Sequence, residues 1–336
     1  MTPRNALGAL CASALLALTA CSSGGSGEPG AGPSSSGSAG PGPVISPERV
    51  QAVSTDAVSR AGDAVRARGS DARAARTKAF TGPALRATKA DAKLAHVSPT
   101  LAPDNPALSS QQPTPLAVSQ GSPPGLLVLQ SGAGQGALPR LQLVRSDAAG
   151  KSWKVAEAAT MLPGTEVAPF AALADGSPTP PADQRSGLSV APDTLLQQYA
   201  ASLAYPRKPV NDPPFTGDHF GNRVRESARS QAQETEAYAT FRQEHQVLPD
   251  DTHVVKQQDG SALVFAVLER TDTFTVADGR TLNAPKSFTA FEPKQDKIND
   301  RAQMTTLEFV VLQVPRGTGR ASVIAASEHL VGARGH

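Results

Sequence analysis

Helical and extended segments follow each other in the same order twice along this chain, and that order restricts the fold more than any other feature. Apolar residues at helical spacing, among them Val50, Ala57 and Ala64, predict a helix from residue 47 to about 68. A second helical stretch is predicted from residue 72 to about residue 95, with an interruption at Gly82-Pro83. Short strands follow, and their predicted ranges are 116–119, 126–130, 140–146 and 151–160.

The second half of the sequence repeats this pattern. Leu195, Tyr199 and Leu203 indicate one helix, and a longer, polar helix is predicted from Gly221 to about Gln246. The predicted strands are 252–258, 261–276, 286–292, 304–314 and 321–330. Helices followed by an antiparallel meander predict an α+β fold with two similar repeats, each with its helices packed on a curved antiparallel sheet.

Sustained correspondences between the halves support a duplication. Residues 80–82 and 215–217 both read Phe-Thr-Gly, and Leu141–Val144 corresponds to Leu307–Val310. We therefore predict an N-terminal domain at 47–162 and a C-terminal domain at 192–336. A linker rich in Pro, Gly and Ala joins them at 163–191.

The first residues predict export and lipidation. Arg4 precedes an apolar run of about a dozen residues, which is shorter than the roughly 20 needed to span a bilayer and is typical of a signal peptide. The sequence Leu18-Thr19-Ala20-Cys21 then matches the lipobox of bacterial lipoproteins. We expect removal of residues 1–20 and lipidation of Cys21, the palmitate-type anchor of such proteins. The alternative is an ordinary secretory signal with a nearby cysteine.

A tether is expected between this anchor and the folded body. Residues 21–46 contain mainly Gly, Ser, Pro and Ala, which cannot bury enough surface to fold. The predicted location is therefore the extracytoplasmic face of the cell membrane, with a flexible linker that holds the body away from it.

Charge restricts the partners of the body. The formal net charge is only +2, which argues against a dedicated nucleic-acid binder. However, basic residues are concentrated in residues 60–93, and we call eight of them the basic face: Arg66, Arg68, Arg73, Arg76, Lys78, Arg86, Lys89 and Lys93. We expect this face to contact anionic lipid or an anionic wall polymer. The alternative is an ordinary solvated helix surface.

No specific catalytic or metal motif is present in the sequence. The histidines lack metal-ligand spacing, and neither a nucleophile elbow nor a phosphate loop follows the tether, so no cofactor or metal is predicted. Strand alternation places Asp272 on the face of Leu268, where a carboxylate could act as an acid or base. A bulge near Arg270 would instead turn it to solvent. Two further weak candidates for ligand binding are Tyr238 and His253.

The strand that ends the first half resembles a known family. Residues Gly150–Val155, with Trp153 followed by a basic and a β-branched residue, resemble the last strand of the nuclear-transport-factor-2-like (cone-fold) superfamily. The chain as a whole resembles uncharacterised secreted lipoproteins of actinobacterial genomes. The cone-fold resemblance implies a space between sheet and helices that serves as a small-molecule pocket or as a packed core.

These features favour a non-catalytic envelope lipoprotein that binds a small molecule or a protein. The alternative is a secreted enzyme with a cone-shaped pocket that uses Asp272, and a purely structural role is a third reading. Most aromatic residues lie in the second half. We therefore expect any ligand site in residues 192–336, since large apolar side chains line small-molecule pockets.

Overall fold

The computed structural model describes residues 43–101, 112–121, 125–132, 136–147, 150–207 and 209–335. The predicted signal peptide, Cys21 and nearly all of the predicted tether lie outside these residues. The helices are α1 (Pro47–Arg66), α2 (Ala72–Ala79), α3 (Gly82–Val97), α4 (Pro192–Ser202), α5 (His219–Thr235) and α6 (Lys286–Thr289). Single turns of 3₁₀ helix occupy Pro99–Leu101 and Pro249–Asp251.

Four strands belong to the first half: β1 (Thr114–Val118), β2 (Gly125–Gln130), β3 (Arg140–Ser146) and β4 (Trp153–Met161). Seven belong to the second: β5 (Ala239–Val247), β6 (His253–Lys256), β7 (Ala262–Val276), β8 (Leu282–Asn283), β9 (Lys297–Ile298), β10 (Arg301–Val314) and β11 (Ser322–Gly335). The predicted α+β class is thus confirmed, while residues 162–191 between β4 and α4 contain neither helix nor strand.

One antiparallel sheet joins both halves. Its strand order is β1-β2-β3-β4-β11-β10-β7-β5, and β6 pairs with the free part of the same edge of β7. The last strand of each half, β4 and β11, meet at the centre, so the order of the first half is mirrored in the second. The predicted duplication therefore has a structural counterpart in the sheet.

The repeated tripeptide has the same role in both halves. Phe80 forms an isolated parallel bridge with Val155 on β4, and Phe215 forms one with Ala321, just before β11. The following threonine donates its backbone N–H to the bridged strand in each case, at 3.0 Å to Val155 and 2.8 Å to Ala321. In each half the segment before a helix, α3 in the first and α5 in the second, is thus tied to the closing strand of that half.

The two faces of the sheet pack differently. On the outer face, α1, α2 and the start of α3 cover the first half through a core that includes Val50, Val128 and Val155, whereas α4 and α5 cover the second half. Further along α3, Ala87 packs into the inner core and Asp91 contacts His329 on β11. The inner face has one core that draws on both halves, with Leu127 and Leu143 packed in the same cluster as Phe265 and Phe309. Whether residues 47–162 and 192–336 fold separately stays a prediction, but this inner core is common to both.

Two predicted elements are wrong. Residues 239–246, predicted as the end of a long helix, form β5, in which Ala239, Phe241 and Gln243 are buried at every second position. This period-two burial against β7 outweighs the helical propensity of the neighbouring Ala, Gln and Glu residues. Lys286–Thr289, predicted as part of a strand, forms the short helix α6, whose Phe288 is buried.

Candidate functional site

A cavity of about 160 Å³ lies on the inner face, between the two halves. Leu127 and Leu143 line it from β2 and β3, while His253 and Val255 line it from β6. These strands are far apart in the sheet order, so the curvature of the sheet brings them together. The sequence predicted a site within residues 192–336, but both halves line this cavity.

A cation and a histidine meet at the wall of this cavity. The Nη1 atom of Arg145 lies 3.1 Å from the Nε2 atom of His253. An arginine only donates hydrogen bonds, so Nε2 must accept, and His253 is then neutral with its proton on Nδ1. Burial, followed by the charge of Arg145, lowers the pKa of His253 to about 4, in agreement with the neutral ring.

A buried carboxyl group stands behind this pair. Glu157 on β4 is only 2% exposed, and its Oε1 lies 3.6 Å from Nε2 of His253. Neither carboxyl oxygen has a hydrogen-bond partner among the described residues. Burial raises the pKa of Glu157 well above its ordinary value, and the nearby charge of Asp251 raises it further. Glu157 is therefore held towards its neutral form, even though Arg145 opposes this.

A β-bulge in β4 determines where Glu157 points. Leu143 pairs with Glu157, but Val144 pairs with Val155, so the register shifts between them. Val155 faces the helices in the outer core, whereas Glu157 shares the inner face with Leu143. In a regular strand, two residues at this spacing would point to the same side, and bulges commonly redirect side chains in this way.

Asp272, the predicted acid or base, lies elsewhere. The pairing of β7 with β10 is continuous through Arg270 and Asp272, so no bulge turns Asp272 to solvent. The side chain is buried on the outer face, as strand alternation predicted, and the Nε atom of Arg270 donates to it at 3.1 Å. None of the three described cavities includes Asp272 in its lining.

Arg270 is the centre of a buried ionic cluster. Its Nη1 donates to Glu308 at 2.9 Å and to Glu328 at 3.2 Å, while Nε2 of His245 lies 3.3 Å from the Glu308 carboxylate. The side chains of His245 and Glu308 are fully buried. We refer to the five residues His245, Arg270, Asp272, Glu308 and Glu328 as the ionic cluster.

Two carboxyl groups of the ionic cluster have opposite pKa shifts. Burial raises the pKa of Asp272, and Arg270 opposes this only in part. Burial alone would also raise the pKa of Glu308, but His245 and Arg270 together lower it below its ordinary value. Arg270 is therefore needed to keep Glu308 charged inside the fold.

The three weak candidates are not brought together. Asp272 lies on the outer face of the sheet, while His253 pairs with Phe265 and shares its inner face. Tyr238 lies in the turn between α5 and β5, not on a helix, and is 46% exposed, with the guanidinium of Arg280 above its ring. Of these, only His253 borders a described cavity.

The basic face lies on and around α2 and α3. All eight residues except the half-buried Arg76 are exposed. Some of the charge is compensated, because Arg66 pairs with Asp63 and Arg86 pairs with Glu269 on β7, each at 2.7 Å. The ammonium group of Lys93 lies 5.5 Å from the ring centre of Phe291.

Two larger cavities lie beside the edge strand β5, with volumes of about 620 and 390 Å³. Ala201 and His245 border both of them. The side chain of His245 is fully buried, so its backbone forms the border and the ionic cluster stays closed. The larger of the two is lined by Arg207 and Arg242 together with Glu244 and Glu269, so its arginines have carboxylates beside them, unlike Arg145 in the cavity between the halves.

Comparison with known families gives one match. The sequence profile of the family described as "Domain of unknown function (DUF8094)" matches residues 42–335. The chain belongs to this family. No curated protein and no solved structure matches it. The matched region spans both halves, so the family unit includes the cavity between them.

From the sequence we identified His253 but missed Arg145 and Glu157. Arg145 and Glu157 lie on the neighbouring strands β3 and β4, but His253 is 108 positions after Arg145. The one available signal was Glu157 itself, a charged residue within the apolar strand Val155–Ala159. Within the part of the chain that the structure describes, no group of three or more His, Cys, Asp or Glu residues is placed to hold a metal ion. Likewise, no described helix is long and apolar enough to cross a membrane.

Proposed function

We propose that this protein is an extracytoplasmic lipoprotein, anchored to the cell membrane through Cys21, that binds a small ligand without catalysis in the cavity between its halves. The lipobox at residues 18–21 and the short apolar run before it support the anchor. One observation carries the binding role. Arg145 and His253, from different halves, border the same cavity next to the buried Glu157.

The physical argument for binding is that this site combines polar groups with an apolar wall. Ligand pockets are largely apolar, with a few polar groups that fix orientation. Leu127, Leu143 and Val255 supply the apolar wall, and Arg145 supplies the polar contact. A volume of about 160 Å³ suits a small molecule, since an engineered cavity of about 150 Å³ holds benzene.

The ionic cluster offers less support for an enzyme. Asp272 is paired with Arg270 and is only 5% exposed, so a substrate would have no direct path to it. A catalytic acid or base must come within hydrogen-bond reach of the reacting group. The cluster therefore fits a structural role better.

We also propose that each half is a distant relative of the cone-fold superfamily. The helices on one face of a curved antiparallel sheet support this, as does the strand that contains Trp153. In the second half, the space between sheet and helices is filled by residues such as Tyr199, Phe220 and Leu268. In this half, the space between sheet and helices would then be a packed core without a ligand. The ligand would bind on the inner face of the sheet instead.

Membrane fractionation tests the anchor. The full chain should sediment with membranes, and Cys21→Ser should release it or leave it unprocessed. Cys11→Ser, which removes the other cysteine, is the matched control and should change nothing. Lipid labelling of the Cys21→Ser protein would contradict the anchor.

Native mass spectrometry tests the binding role. We expect the purified full chain to carry a small molecule that Ala117→Met removes, because Ala117 lines the cavity between the halves. Ala201→Met is the control, since it places the same side chain in the two cavities beside β5. A bound molecule lost with Ala201→Met but kept with Ala117→Met would place binding elsewhere.

We further propose that the basic face rests on anionic lipid or wall polymer. Lys and Arg near an anionic surface contribute about 1 kcal/mol each, and salt screens this within about 10 Å. Changing Arg73, Lys78 and Lys89 together to Gln should weaken binding to vesicles that contain anionic lipid. Binding that is independent of both salt and anionic lipid would contradict this proposal.

A further inference from the structure

The cavity between the halves also indicates the charge of its ligand, and this inference rests on the proposed binding function. Among the described residues that line the cavity, Arg145 is the only charged one, and none of them is an aspartate or glutamate. The cavity wall therefore carries a single positive charge. Opposite charge attracts, and a partly buried site is screened less than a surface site.

Most hydrogen-bond donors of Arg145 have no partner among the described residues. A guanidinium has five N–H donors, and Arg145 directs one of them to His253. Asp251 interacts with the charge of Arg145, but no carboxylate of the described residues forms an ion pair with it. A planar fork with free donors is the geometry that holds a carboxylate through two parallel hydrogen bonds.

The alternative occupant is a cation held by Glu157. Two observations argue against it. Glu157 does not border the cavity, and its surroundings raise its pKa, so it is held towards the neutral form. Arg145 would in addition repel a cation from the same space. His253, neutral and already accepting from Arg145, adds no negative charge.

The rest of the wall defines the other end of the ligand. Leu127, Leu143 and Val255 are buried and apolar, and they belong to the inner core. Burying hydrocarbon against them gains about 0.8 kcal/mol for each CH₂ group. The ligand should therefore have a short hydrocarbon part beside its charged group.

We propose that this cavity binds a small monocarboxylate, with its carboxylate on Arg145 and its hydrocarbon chain against Leu127, Leu143 and Val255. The size of the cavity limits the chain to a few carbons. His253 positions the guanidinium through its hydrogen bond and does not need to carry charge.

Three four-carbon probes of similar length test the charge: butyrate, butyramide, which has the same shape as butyrate, and butylammonium. We expect the full chain to bind butyrate about tenfold more tightly than butyramide, which corresponds to about 1.4 kcal/mol. Butylammonium should not bind. Nuclear magnetic resonance titration measures all three affinities.

Variants of Arg145 provide the second comparison. Arg145→Gln should weaken butyrate binding about tenfold and leave butyramide within twofold. Arg73→Gln, an arginine of the basic face, is the control and should change neither. If Arg145→Gln does not fold, Arg145→Lys keeps the charge and should keep the preference for butyrate.

The possible outcomes separate the two proposals. Equal binding of butyrate and butyramide, both lost with Ala117→Met, would overturn the carboxylate proposal and leave ligand binding in place. Tighter binding of butylammonium would also overturn it. If no probe binds and the native protein carries no small molecule, both proposals fail.

Discussion

At equivalent positions of the sheet, the first repeat buries a hydrogen-bonded pair of uncharged side chains and the second repeat buries an ion pair. In the first, Gln142 donates to Gln130 across β2 and β3 at 2.6 Å, and in the second, Arg270 donates to Glu308 across β7 and β10 at 2.9 Å. Gln142 corresponds to Glu308 in the repeat. Gln142 pairs directly with Val128, and Glu308 pairs directly with Leu268. The hydrogen-bonded partners, Gln130 and Arg270, each lie two residues further along the neighbouring strand. One backbone arrangement thus holds a neutral pair in one half and an ion pair in the other.

This difference shows where charge can be buried in the fold. A buried ion pair requires further partners, because desolvation can cost more than the pairing returns. The second half supplies His245, Asp272 and Glu328 around its ion pair. The neutral pair of the first half satisfies itself with a single hydrogen bond between amides.

The largest expected effect comes from removing the charge at the centre of the ionic cluster. Arg270→Met should lower the free energy of unfolding by about 3–5 kcal/mol, because the carboxylates of Glu308, Asp272 and Glu328 then all lose the cation that they share. Gln130→Met, at the equivalent position, should cost only about 1–3 kcal/mol. Urea denaturation of both variants measures the difference, and equal losses would contradict the comparison.

Replacing the ion pair of the second half by two glutamines, as in the Gln130–Gln142 pair, should restore much of the stability that is lost when Arg270 alone is changed. In the double variant Arg270→Gln with Glu308→Gln, both buried charges disappear together. We expect it to be more stable than Arg270→Gln alone by about 1–3 kcal/mol, the usual coupling between residues in contact. Additive losses in a double-mutant cycle would mean that the two residues act independently.

Two buried glutamates should respond to pH in opposite directions. The pKa of Glu308 is lower in the fold than its ordinary value of 4.5. The charge of Glu308 therefore stabilises the fold at pH values above 4.5, and this stabilisation is lost as pH falls through the lowered pKa. Glu308→Gln should therefore cost most near pH 7. The raised pKa of Glu157 means that its proton is retained in the fold, and wild-type stability declines as pH rises through that pKa.

Glu157→Gln should consequently gain stability relative to wild type as pH increases above 4.5. Thermal unfolding of both variants and of the wild type, at each pH between 3 and 8, measures these trends. Parallel pH profiles for the two substitutions would contradict the assigned environments.

The smallest effect is expected at the ion pair between Arg86 on α3 and Glu269 on β7. Both side chains are partly exposed, at 48% and 28%. Exposed pairs are worth about 0–1 kcal/mol, so Arg86→Gln should fall within that range in urea denaturation. A much larger loss would show that this contact between the halves carries more of the stability than the inner core.

The sequence predicted the strands well where apolar alternation is strong, as in β7 and β10. It missed β5 because Ala239, Gln243 and Glu244 have helical propensity, and only pairing with β7 makes the segment extended. The cavity could not be predicted, since it depends on sheet curvature and on the bulge that redirects Glu157. Both of these are properties of tertiary structure. His253, beside Asp250 and Asp251, was identified as a residue that could line the space between sheet and helices, but its partner Arg145 was not identified.

A crystal structure of the full chain with 2-bromobutyrate tests the central claim most directly, because the bromine gives an anomalous signal that locates the ligand. We expect a single strong peak within the cavity between the halves, with the carboxylate on Arg145 and the hydrocarbon chain towards Leu127 and Val255. A peak beside β5, or none in the cavity at saturating ligand, would contradict it.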